Sequence, residues 1–98
     1  MLKKNYTATG KKCRVTFHHP GGEQIESVAL AGEFNGWSVA ATPMKKLRTG
    51  EFSVTLTLDS GRDYAFRYVL NGECWLNDPA ADKYLRNEFG EDNSVVTI

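Results

Sequence analysis

The chain has little cysteine and little proline, no excess of either charge and no long apolar stretch, and each shortage removes a class of protein. Two cysteines in 98 residues, Cys13 and Cys74, are too few for a disulfide framework. They read as free thiols in strands, and the sequence leaves their spatial relation open. Twelve basic residues balance twelve acidic ones, whereas a nucleic-acid binder gathers a basic excess on one face. Only Lys3, Lys4, Lys11 and Lys12 cluster, so residues 1–11 are expected to form a flexible, solvated arm. No apolar run reaches the length of a membrane span, and Met1 to Asn5 leads into no hydrophobic signal region. The expected setting is cytoplasmic, alone or within a larger protein, with neither nucleic acid nor membrane as partner.

Catalytic patterns are missing too. His18 and His19 have no cysteine or carboxylate at ligand spacing, and a zinc site needs three or four converging ligands. The carboxylates Asp59, Asp63, Asp78, Asp82, Glu88, Glu91 and Asp92 sit in or beside turns, where local hydrogen bonding accounts for them. There is no phosphate-binding glycine loop and no nucleophile elbow. No enzyme activity, metal or cofactor is implied.

What the chain does have is period-two alternation. Cys13–His18 places Cys13, Val15 and Phe17 on one face; Ser27–Glu33 follows the Pro20-Gly21-Gly22 turn; Glu51–Leu58 aligns Phe52, Val54, Leu56 and Leu58. Asp63–Leu70 aligns Tyr64, Phe66, Tyr68 and Leu70, with Ala65, Arg67 and Val69 opposite. Asn71-Gly72 is a strong hairpin signal leading into Cys74-Trp75-Leu76, and Ser94–Ile98 closes the series. A short strand over Lys45–Leu47 is compatible with the pattern. Residues 80–90 read as a long polar loop, with room for one helical turn over residues 80–83. Six or seven short strands without a convincing helix predict an all-β, immunoglobulin-like antiparallel sandwich over residues 12–98.

Two tryptophans require a separate account. Trp37 follows Asn35-Gly36, and Trp75 follows Asn71-Gly72. Either ring can serve as core. Each, however, stands just beyond a turn rather than at an inward mid-strand position, and an exposed indole presents a flat apolar face. The C–H face of a pyranose matches it. Arg67, opposite the aromatic stripe, and the side chain of Asn93 can donate to sugar hydroxyls; a solvated strand residue is the alternative for Arg67.

Four ordered motifs then carry a resemblance: Gly32-Glu33-Phe34-Asn35-Gly36-Trp37, Phe66-Arg67-Tyr68 before Asn71-Gly72, Trp75-Leu76-Asn77-Asp78-Pro79, and Phe89-Gly90-Glu91-Asp92-Asn93-Ser94-Val95-Val96. Across roughly residues 13–98 the pattern resembles the glycogen-binding domain of the AMP-activated protein kinase β subunit. It is similar also to the early-set domain of isoamylases and branching enzymes, carbohydrate-binding module family 48. The resemblance implies an early-set sandwich binding α-1,4-glucan (glycogen, starch, maltooligosaccharide, cyclodextrin) without catalysis, beside a glycogen-metabolism protein as a further partner. By motif, Trp37 and Trp75 match the stacking pair, Arg67 the basic strand residue (Lys in the kinase domain) and Asn93 the loop asparagine. Phe89 falls at a leucine that enters the ring of a cyclised glucan. Glu91 replaces a threonine, and the turn before Trp75 is one residue longer. The alternative reading is a protein-interaction or structural early-set module without glucan binding.

Overall fold

A computed structural model describes residues 2–98, and among them nine strands form two antiparallel sheets. The strands are β1 (Leu2–Tyr6), β2 (Lys12–His19), β3 (Val28–Gly32), β4 (Lys45–Lys46), β5 (Phe52–Asp59), β6 (Asp63–Leu70), β7 (Cys74–Leu76), β8 (Lys83–Arg86) and β9 (Asp92–Thr97). A single 3-10 turn covers Glu33–Asn35. One sheet has the order β1-β2-β5-β4; the other has β3-β6-β9-β8, with β7 also on β6. No helix among the described residues is long and apolar enough to cross a membrane.

The alternating faces meet between the sheets. Cys13, Val15 and Phe17 of β2 and Phe52 and Leu58 of β5 pack against Leu30 of β3, Tyr64, Phe66 and Tyr68 of β6 and Val96 of β9. Phe17 meets the edge of Phe66 at 5.0 Å between ring centroids, and Phe66 meets Tyr68 at 5.8 Å, the tilted geometry that aromatic quadrupoles favour. Gly32 is fixed by space: a Cβ there would lie 2.6 Å from the Ala65 carbonyl oxygen and 3.0 Å from the Phe66 Cβ.

Three expectations are corrected, on residues 2–6, 80–90 and 45–47. Residues 2–6 are not a loose arm but β1, paired with β2 from Leu2 opposite Phe17 to Tyr6 opposite Cys13. Four of its five residues are exposed, so backbone pairing at a sheet edge holds it and no side-chain alternation announces it; its lysines suit such an edge. The polar loop over 80–90 contains β8 and no helical turn; all four of its residues are exposed. The candidate strand at 45–47 shortens to Lys45–Lys46. The Asn71-Gly72 hairpin is a three-residue connection, because Leu70 pairs with Cys74. Cys13 is buried in the core and Cys74 exposed at the hairpin edge, both as free thiols.

Behind the sheet that carries the tryptophans lies a buried polar knot. The Tyr68 hydroxyl donates to Asp78 Oδ2 at 2.7 Å, and the Asp78 and Ala80 amides are held by Ser94 Oγ and Asp78 Oδ1. Burial, reinforced by the adjacent Asp78 carboxylate, pushes the Tyr68 phenol far above its ordinary pKa, so it stays a donor. Asn77, at the end of β7, accepts from Ser94 Oγ and donates to the Asp92 carbonyl. These bonds tie the hairpin arm to β9, and with it they fix the position of Trp75.

Candidate functional site: an aromatic cleft on one sheet

Strand β6 changes partner along one edge. Residues 63–66 pair with β9 and residues 68–70 with β7, leaving Arg67 at the switch. Its side chain points away from the core, with Ala65 and Val69. Trp75 is the cross-strand partner of Val69, so both stand on that same outer face. The extra residue in the turn therefore leaves Trp75 facing outward with Arg67. Trp75 is 38% exposed.

Trp37 reaches this face by another route. After the 3-10 turn, Gly36 takes φ 67° and Trp37 itself φ 62°, a left-handed conformation that a bulky residue adopts only when its surroundings hold it there. Here the Trp37 amide donates to the Gly32 carbonyl at 2.9 Å. Asn35 staples the bend: its Oδ1 accepts from the Gly32 amide, and its Nδ2 donates to the Leu30 carbonyl and to Thr42 Oγ1. Asn71 does the same for the second turn, accepting from the Glu26 and Ser27 amides and donating to the Gln24 carbonyl. Neither tryptophan belongs to the core cluster.

The third wall is the loop between β8 and β9. The Asn87 amide donates to the Glu91 carbonyl at 2.7 Å and the Gly90 amide to the Asn87 carbonyl at 3.1 Å. The Asn87 side chain accepts from the amides of Phe89 and Glu91. Phe89 stands at the tip, 81% exposed. Trp37, Arg67, Trp75, Asn87, Glu88, Phe89, Glu91 and Asn93 line one open cleft of about 870 Å³. All six residues singled out in the sequence are thus brought together. Asn87 and Glu88 were missed; the asparagine three residues ahead of Gly90 is a turn signal, but nothing in it foretells a place in the wall.

Arg67 is not a solvated strand residue. It is 9% exposed and spreads its guanidinium over three acceptors: Nε to Asn93 Oδ1 at 3.1 Å, Nη1 to Glu91 Oε2 at 2.8 Å and Nη2 to the Asp92 carbonyl at 2.7 Å. The planar fork of arginine suits this three-way grip, which an ammonium cannot reproduce. The cleft floor is therefore an internally satisfied ion pair flanked by apolar rings, a surface suited to a neutral, hydroxylated ligand. Among the described residues no three metal-ligating side chains converge.

Fold and cleft together define an early-set, immunoglobulin-like sandwich with an aromatic-walled cleft on one sheet. The family model of the glycogen recognition site of AMP-activated protein kinase matches residues 12–98, and the chain belongs to that family of non-catalytic, glucan-recognising carbohydrate-binding domains. No curated protein sequence matches it. Among solved structures it is similar to a maltogenic amylase from S. marinus, with TM-score 0.73, 20% identity, and coverage of 100% of this chain and 16% of that one. The enterobactin esterase of Shigella flexneri gives TM-score 0.72 and 12% identity over 98% of this chain and 32% of that one. The chain thus spans less than a third of either enzyme, and likeness at these identities concerns the fold.

Proposed function

We propose that the domain binds α-1,4-glucan (glycogen, starch or their maltooligosaccharide fragments) in the aromatic cleft, without catalysis. One observation carries this reading: side chains from four separated segments meet in a single open cleft, with three aromatic rings around a hydrogen-bonded Arg67. Trp37 and Trp75 stack on pyranose faces, and Phe89 supplies a third apolar contact, suited to the bore of a cyclodextrin. Glu91 and Asn93, anchored on Arg67, meet sugar hydroxyls at the rim. A cytoplasmic glycogen-metabolising protein is the natural setting for such a module.

Affinity should be weak. Stacking that removes on the order of 200 Å² of apolar surface contributes about 5 kcal/mol, and the loss of translational freedom is of similar size. Hydrogen bonds to the sugar hydroxyls must supply the surplus, and a dissociation constant of roughly 10 µM to 1 mM is expected, with stronger apparent retention on polymers. Titration with maltoheptaose and β-cyclodextrin, followed by NMR, tests the reading. Both indole N–H resonances and the backbone amides of Arg67 and Asn93 are expected to shift together, and Trp37→Ala to abolish retention on glycogen while the fold survives. No shift at several-millimolar sugar would refute glucan binding and leave a protein-docking module as the reading to pursue.

A further inference from the structure

The hydrogen bonds around Asn93 fix something that a list of lining residues does not: which end of its amide is held within the protein and which end is left for a ligand. Its Oδ1 accepts from Arg67 Nε at 3.1 Å and from Asn87 Nδ2 at 3.2 Å. Arg67 Nε is a donor only. Asn87 has no freedom either, because its own Oδ1 already accepts from two backbone amides, Phe89 at 2.9 Å and Glu91 at 3.1 Å. Backbone amides cannot accept, so the Asn87 oxygen must face the turn and its NH2 must face Asn93. Two donors then occupy both lone pairs of Asn93 Oδ1, and the amide cannot flip without losing both bonds.

From this chain of donors we infer that Asn87 is a positioning residue for glucan, holding the Asn93 amide so that its NH2 group is the one presented to the ligand. The inference rests on the cleft being a glucan site. It goes further by stating that Asn93 takes a sugar hydroxyl as an acceptor and refuses it as a donor. It also gives one side chain two tasks: Asn87 Oδ1 shapes the turn that raises Phe89, while its Nδ2 orients Asn93. Coupling the apolar tip to the polar rim in this way sets their spacing without a direct contact between them.

Two substitutions in the full chain separate these tasks, with maltoheptaose as the probe. Asn87→Asp keeps an acceptor for the Phe89 and Glu91 amides but cannot donate to Asn93. Asn93→Asp keeps an acceptor for Arg67 and Asn87 but has no NH2 to offer. In both variants the Phe89 and Glu91 amide resonances should stay near their wild-type positions. Maltoheptaose should bind about tenfold more weakly, the size of one lost hydrogen bond, while both indole resonances still reach wild-type end-points at saturation. In ligand-free Asn87→Asp the Arg67 Nε–H resonance should move and exchange faster with water, since the Asn93 amide is released to turn. The inference is overturned if either variant binds within twofold of wild type. An unmoved Arg67 Nε–H, or a weakening accompanied by displaced turn amides, overturns it equally. If the wild-type protein itself shows no indole shift, the glucan reading falls and takes this inference with it, whereas failure of the variants alone leaves that reading in place.

Discussion

Trp37 holds its ring over the cleft at a cost in backbone energy, since a non-glycine residue at φ 62° gives up on the order of 1–2 kcal/mol. Replacing it therefore has two separable effects. Trp37→Gly and Trp37→Ala both remove the stacking surface, but glycine also relieves the backbone; urea denaturation should find the glycine variant more stable than the alanine variant by about 1 kcal/mol. Arg67 behaves in the opposite way. Arg67→Lys keeps the charge yet cannot span Asn93, Glu91 and the Asp92 carbonyl at once. We expect a stability loss of roughly 1–3 kcal/mol and faster hydrogen exchange at Glu91 and Asn93.

At the scale of elements, the site is made where three connections end on one sheet: the 3-10 turn after β3, the hairpin into β7 and the β8–β9 loop. The close approach of β3 to β6 at Gly32 brings the first of these into place. Gly32→Ala should cost about 1–3 kcal/mol by overpacking against the Ala65 carbonyl, with weaker sugar binding because the bend that aims Trp37 moves too; calorimetric melting and a maltoheptaose titration read the two effects. The edge strand β1 belongs to the other sheet and contributes no residue to the cleft wall. A chain lacking residues 1–6 should lower the urea midpoint, because the apolar contact of Leu2 with the core and the 2.6 Å ion pair between Lys4 and Asp82 are lost. Its glucan affinity should stay within twofold of the intact chain; a larger change would show that β1 acts on the site.

Taken as a whole, the molecule responds to acid in two windows. His19 has its pKa lowered from 6.5, chiefly by burial and then by neighbouring His18; its Nδ1 accepts from the Gly21 amide and its ring packs on Tyr68 at 5.6 Å. A folded-state pKa below the unfolded one means that the unfolded chain takes up the proton first. This stability is complete above about pH 6.5 and declines as pH falls toward the lowered value. Asp59, hydrogen-bonded by Lys12, Asp63, hydrogen-bonded by Lys83, and Glu51, hydrogen-bonded by Thr49 and His18, all have lowered values. Their contribution is present above the ordinary carboxylate range and is lost as pH falls through their lowered values. Asp59 is exposed and Glu51 and Asp63 are half-exposed, so added salt should shrink this second step. Urea midpoints measured from pH 8 to pH 3 should show both declines, and His19→Asn should flatten only the first.

How much of this was legible before the fold was known follows from where each signal comes from. Strands that bury one face, such as Phe52–Asp59 and Asp63–Leu70, write a period-two pattern into the sequence, because every second side chain must leave water. Asn35-Gly36 and Asn71-Gly72 mark the turns, since Gly36, Asn71 and Gly72 take left-handed conformations. The four ordered motifs pointed to Trp37, Arg67, Trp75, Phe89, Glu91 and Asn93 as one set. The edge strands β1 and β8 left no such pattern: backbone pairing to a neighbour holds them, and their exposed side chains are free of any period. The sequence also could not tell whether Arg67 was solvated or enclosed, nor that Asn87 and Asn93 share a hydrogen bond. Those facts depend on β6 exchanging β9 for β7 at Arg67 and on a loop folding back over that gap. Local residue order determined the strands, the turns and the identity of the rings; only the pairing of distant segments decided which donors and acceptors face one another.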